Sequence, residues 1–165
     1  AMQWSLVGSE MCIRDSQTAA VIADALDAEV TYDERLREID IGEWGGMSVD
    51  DVAARYPEEW AARLDDPLGH RAPGGETRGE LQARAAPVVD EILASGAESA
   101  AVISHGITTR VLLNHLLRLS PSDQLSFTVP NDCFYRCEVE SSGAVSVVHY
   151  HQGDGPRAGL FIPGP

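Results

Sequence analysis

One of the five histidines in this 165-residue chain, one of its arginines and a few of its carboxylates stand where side chains do chemistry. His105-Gly106 follows the apolar run AAVIS and precedes ITTRVLLNHLLRL, so the pair sits at a strand-to-helix junction. Free backbone N–H groups and the helix dipole favour an anion at such a junction. Arg14 carries a planar fork of N–H donors, the shape that pairs with two oxygens of one anion. Glu38 lies in an acidic stretch with Asp40 and Glu43, and Glu76 sits beside Gly74-Gly75 at the start of a helical pattern, where a carboxylate is stabilised in any case. His149 and His151 share a strand face at i, i+2 spacing, but no third ligand accompanies them, so the pair reads as a strand-end feature and no metal site is expected.

Absences narrow the chemistry further. All 12 basic residues are arginine, so a Walker A loop, a Schiff-base lysine and a pyridoxal site are excluded. Gly74-Gly75 therefore lacks the lysine that a phosphate loop requires, and Gly46-x-Ser48 runs into Asp50 where a nucleophile elbow needs glycine. The formal charge of −14 repels nucleic acid. Cys12, Cys133 and Cys137 form no CxxC pair. On one strand the last two would stand about 13 Å apart, beyond disulfide reach. Free thiols point to a reducing, cytoplasmic setting. No run approaches a membrane span, and no basic start marks a signal peptide.

The elements that would hold these residues follow from periodicity. Residues 17–28 predict a helix capped by Ser16, with Ala20, Ile22 (with Val21), Ala25 and Leu26 on its inner side. Ser48 with Asp51 predicts a capped helix that stops before Pro57, and a short helix follows through Leu64. Residues 66–75 predict a loop, and Thr77 opens the longest helix, which runs to Gly96 with Pro87 inside it. Leu125–Val129, Cys133–Glu140 and Ala144–Tyr150 predict strands, the last two joined as a hairpin. Alternating helices and strands point to an α/β sandwich with a mixed sheet.

Four segments in order resemble one family. They are Arg14-Asp15-Ser16-Gln17-Thr18-Ala19, Leu36 to Gly46 (LREIDIGEWGG), Pro73-Gly74-Gly75-Glu76-Thr77, and Ser104-His105-Gly106, with Asn131 as a later match. Together they resemble the histidine phosphatase superfamily, the phosphoglycerate-mutase-like fold. The resemblance implies a three-layer α/β/α sandwich with a mixed, mostly parallel sheet. It also implies a metal-independent phosphomonoester hydrolase acting through phosphohistidine on a small phosphorylated metabolite, with no cofactor. By the same resemblance Arg14, His105 and Gly106 bind the phosphoryl group, His105 is the second active-site histidine, and Glu38 protonates the leaving oxygen. A phosphoglycerate mutase and a non-catalytic phosphate-binding fragment are the alternatives.

One part of the pattern has no counterpart. The family's nucleophile lies in an Arg-His-Gly on its first strand, and this sequence contains none; Gly69-His70-Arg71 is reversed and lies in a proline-bounded loop. Residues 1–15 read as a non-native or irregular leader, 16–152 as the domain, and 153–165 as an irregular tail. The first central strand is accordingly expected to be missing or replaced, and activity impaired.

Overall fold

The computed structural model describes residues 4–8 and 13–163, with the side chains of residues 4, 5, 13 and 14 left out of the description. Its first element is β1 (Trp4–Gly8), a short apolar strand at the centre of a parallel sheet. On one side it pairs with β2 (Val30–Tyr32), Leu6 opposite Val30, and on the other with β3 (Ser99–Ile103), Val7 opposite Val102. A strand covered on both faces needs apolar residues at successive positions, and Leu6 and Val7 supply them, 1% and 8% exposed. The segment read as an irregular leader thus contains an ordered central strand, which corrects that expectation. Ser9 and Cys12 lie outside the described residues.

Helix α1 (Ile13–Leu26) covers the Leu6 face. A Cβ built on Gly8 would rest 3.7 Å from that of the fully buried Ala19, so α1 packs close against the strand. The opposite face carries α4 (Arg78–Ala94) and α5 (Gly106–Leu116). Val7, Leu81, Ala85, Val88 and Val111 form the main core there, closed by Leu36. Burial of each such Leu or Val side chain contributes about 1.5–3 kcal/mol. These three layers are the expected α/β/α arrangement.

Caps fix where the helices begin. Ser48 and Asp51 make a reciprocal capping box on α2 (Val49–Arg55), and Thr77 with Glu80 does the same for α4. Pro57 opens α3 (Pro57–Asp65) at its first position, where its missing N–H costs nothing. Pro87 lies within α4 on the exposed side, so the carbonyl it leaves unpaired faces water.

The remaining strands stand apart from the parallel sheet. β4 (Cys133–Val139), β5 (Val145–His151) and β6 (Asp154–Ala158) form an antiparallel sheet in that order. β6 lies in the tail expected to be irregular, pairing His149 with Arg157. Leu125–Val129, expected as a strand, instead ends a 3-10 turn (Pro121–Leu125) and continues as irregular chain, because Ser120 and Asp123 form a capping box there. Among the described residues, β3 and β4 are each paired on one side only.

Candidate functional site

The site is assembled by loops that the two glycine-rich motifs lock together. Gly42 adopts φ +52°, and a Cβ there would collide with the Pro73 carbonyl. That close approach lets Glu43 N–H donate to the Pro73 carbonyl at 2.9 Å and Glu76 N–H to the Asp40 carbonyl at 2.8 Å. Residues 40–44 and 73–76 are thereby one unit.

Arg84 of α4 fastens that unit to the core. Its Nη1 donates to the carbonyls of Arg35 (2.7 Å) and Arg37 (3.0 Å), and its Nη2 to that of Glu38 (3.1 Å). The same guanidinium grips Glu76, through Nη2 at 2.5 Å and Nε at 3.0 Å. Burial alone would raise the Glu76 pKa, but Arg84 and the Asp40 N–H outweigh it and hold the carboxyl below its ordinary value. Glu76 is therefore a fastening residue. Arg84 was missed in the sequence, although an arginine between the inward Leu81, Ala85 and Val88 of one helix is a signal of a buried polar role.

With the loop held, the Glu38 side chain reaches the N-terminus of α5. Oε1 accepts from Thr108 N–H (3.0 Å), Thr108 Oγ1 (3.0 Å) and Ile39 N–H (3.0 Å), while Oε2 accepts from Ile107 N–H (3.1 Å). Thr108 Oγ1, fully buried, also contacts the Arg37 carbonyl at 2.9 Å, and Ser104 Oγ donates to that of Leu36 at 2.7 Å. Four donors converge on one carboxylate where a helix begins, which is the pattern of an anion site.

His105 is the residue before α5, with extended backbone at φ −100° and ψ 169°. Its Nε2 stands 2.8 Å from Oδ2 of Asp15, a residue 8% exposed in the first turn of α1. The C-terminal ends of β1 and β3 lie side by side, Gly8 against Ile103, so the helices that follow them meet at this edge. Arg14 immediately precedes Asp15 in α1, and its side chain lies outside the described residues. Gly106 opens α5, and a Cβ there would stand 3.5 Å from the Val129 carbonyl. His105 and Glu38 thus share one helix N-terminus, with Asp15 as a third member that sequence reasoning missed.

The other candidates lie elsewhere. His70 stacks on Trp44 (centroids 5.5 Å apart), and Trp44 belongs to a second small core with Val52 and Ala72. His149 Nδ1 lies 2.8 Å from the Gly159 carbonyl, and His151 pairs with Asp132 at 3.2 Å, so both histidines have protein partners. His115 pairs with Asp90 at 3.0 Å. Asn131 is exposed in the turn before β4. Among the described residues no group of three or more His, Cys, Asp or Glu is placed to hold a metal ion.

Known proteins resemble this chain in sequence and in fold. The chain is 30% identical over 152 residues to a probable phosphoglycerate mutase of Yersinia enterocolitica, covering 91% of this chain and 70% of that one. It is 31% identical over 115 residues to phosphoserine phosphatase 1 of Hydrogenobacter thermophilus, covering 69% of this chain but 54% of the relative. The chain therefore spans about half the length of that phosphatase. Among solved structures, a mycobacterial glucosyl-3-phosphoglycerate phosphatase complexed with inorganic phosphate superposes with a TM-score of 0.75 at 22% identity, covering 96% of this chain and 76% of that one. The α-ribazole phosphatase of Shigella flexneri gives 0.71 at 16%, over 96% and 73%. These two likenesses speak for the fold. The family model of the histidine phosphatase superfamily, branch 1, matches residues 9–152, and the chain belongs to that superfamily.

Proposed function

We propose that the chain carries the phosphoryl-binding and acid half of a metal-independent phosphomonoesterase that works through phosphohistidine. In this reading Arg14, His105 and the Gly106 N–H hold the phosphoryl oxygens, and Glu38 gives its proton to the departing ester oxygen and then helps water attack the phosphoenzyme. Phosphoryl transfer spreads charge over three oxygens, so fixed donors and positive charge do most of the work. The observation that carries the reading is the convergence of Glu38 and His105 on the N-terminus of α5. The attacking nitrogen belongs to an Arg-His-Gly, which the sequence as given lacks, so the chain by itself is impaired.

The open edge of β3 supports the same reading. Val102 is 40% exposed on that strand, and a parallel neighbour added there would end beside His105. The substrate in this reading is a small phosphorylated metabolite; none of the described helices is long and apolar enough to cross a membrane.

The test is to add an Arg-His-Gly-bearing strand to the chain and assay p-nitrophenyl phosphate with and without chelator. Turnover that survives chelation, and falls on the order of 10²-fold in His105→Ala, is the expected result. A requirement for divalent metal, or a rate unaffected by His105→Ala, would sink the proposal. Offering phosphoglycerate in the same assay separates phosphate release from transfer within the substrate.

A further inference from the structure

The C-terminal end of α5 borders a cleft that the proposed reaction does not use. Its volume is about 340 Å³, within the range of small-molecule pockets, and its walls are α4, the end of α5 and the hairpin of β4 and β5. His105 and His115 stand at opposite ends of α5, about 15 Å apart along its axis. The cleft is therefore remote from the phosphoryl-binding edge.

Its walls carry two kinds of surface. Val89 and Leu93 of α4 line it together with Val139 and Val145 of the hairpin, and Leu93 and Val139 are left 50% and 44% exposed. Beside them stand one acid and one base, Asp90 and Arg118. His115 Nε2 lies 3.0 Å from Asp90 Oδ1, while the other oxygen of that carboxylate, on a side chain 67% exposed, has no partner among the described residues. Arg118 lies three residues past His115, about one helical turn away, and its guanidinium makes no hydrogen bond or ion pair among the described residues.

The backbone presents that arginine in an uncommon way. Leu119 N–H donates to the Asn114 carbonyl at 3.0 Å and Arg118 N–H to that of His115 at 3.1 Å, a helix ending whose left-handed position ordinarily holds glycine. Arg118 occupies that position at φ +53°, which is costly for a residue with a Cβ. Stability alone is better served by glycine there, since His115 already supplies a basic side chain in the last turn. Asn114, 2% exposed, donates from Nδ2 to the Ser120 carbonyl at 2.8 Å and so fixes the chain on either side of Arg118.

One open acid, one open base and apolar walls define the occupant. In a chain of formal charge −14 a simple anion is repelled at long range, whereas a small molecule that carries both charges is not. A carboxylate matches the planar fork of Arg118, and an ammonium matches the open oxygen of Asp90. We propose that this cleft binds a free α-amino acid with an aliphatic side chain. Its carboxylate pairs with Arg118, its ammonium with Asp90, and its side chain lies against Val89, Leu93, Val139 and Val145. The site shares no residue with the reaction proposed above and stands independently of it.

The experiment titrates the full chain by calorimetry with L-leucine, with 4-methylpentanoate, which lacks the ammonium, and with 3-methylbutylamine, which lacks the carboxylate. Leucine should bind more tightly than either analogue by roughly 10-fold. Arg118→Gly removes the cation and suits the left-handed backbone, so its melting temperature should hold or rise while leucine binding weakens by roughly 10-fold. Asp90→Asn should weaken leucine to a similar extent and leave 4-methylpentanoate no weaker than before. Absence of leucine binding, or wild-type affinity for it in either variant, would overturn the site. Equal binding of leucine and 4-methylpentanoate would rule out the amino acid as its ligand. Displacement of leucine by inorganic phosphate would place the ligand at His105 and contradict the proposal as well.

Discussion

The contact between His105 and Asp15 shows how much one side chain can set. Nε2 of His105 is the atom that a phosphoryl oxygen would need, and Asp15 Oδ2 stands 2.8 Å from it. A bound phosphoryl group and the Asp15 carboxylate would then compete for the same imidazole, two like charges beside one ring nitrogen. Asp15→Asn removes the charge and keeps the shape, so phosphate should bind the variant more tightly, by about 3- to 10-fold from one relieved like-charge contact. Titration calorimetry of wild type and variant decides it; weaker binding in Asp15→Asn would mean that the carboxylate holds His105 ready for the anion. Asp15 escaped notice in the sequence because it is one acidic residue among 26, and only its place on the helix gives it meaning.

At the scale of elements, Arg84 and Glu76 join the Leu36–Gly46 and Pro73–Thr77 segments. The side chains are 17% and 12% exposed, so the pair is only slightly screened by water. Arg84→Met should cost roughly 3 kcal/mol, since it strands Glu76 and three loop carbonyls. Because the folded-state pKa of Glu76 lies below its ordinary 4.5, the pair's contribution is complete above that value and fades as pH falls through the lowered one. Urea melts of wild type should therefore lose stability on acidification below about pH 4.5, and Arg84→Met should show a shallower loss. An identical pH profile in both would contradict the linkage.

The same scale shows what the sequence carried. Caps were legible at Ser48 and Thr77 because their partners lie three residues away. The face of α1 was read one step off. Ile22 and Leu26 do turn inward, but Ala19 and Ala23 accompany them, while Ala20, Val21 and Ala25 are exposed. Alanine carries too little hydrophobic signal to choose between adjacent stripes. The helix also starts at Ile13 rather than after Ser16, which puts Asp15 on the same inward side as Ala19, one turn away. Strand β6 was hidden because Gly155 and Pro156 mark a turn by composition, and only its pairing with β5 makes it a strand.

Taken whole, the molecule is a parallel sheet with helices on both faces and a separate antiparallel sheet beside it. Sequence motifs pointed to Glu38 and His105, which the fold brings to one helix N-terminus, because each sits in a local signature of several residues. Arg84 and Asp15 depend on contacts between distant elements and have no such signature. The charge of −14 makes an anion site improbable by long-range attraction, so binding has to come from donors at close range. In the proposed site those donors are His105 and the Gly106 N–H at the N-terminus of α5, with Arg14 of α1. The decisive observation is a phosphate titration followed through the imidazole ¹H–¹⁵N resonances of all five histidines. The proposed site requires His105 to shift saturably, and to a greater extent than His70, His115, His149 and His151. Phosphate that binds while His105 stays unmoved would contradict it.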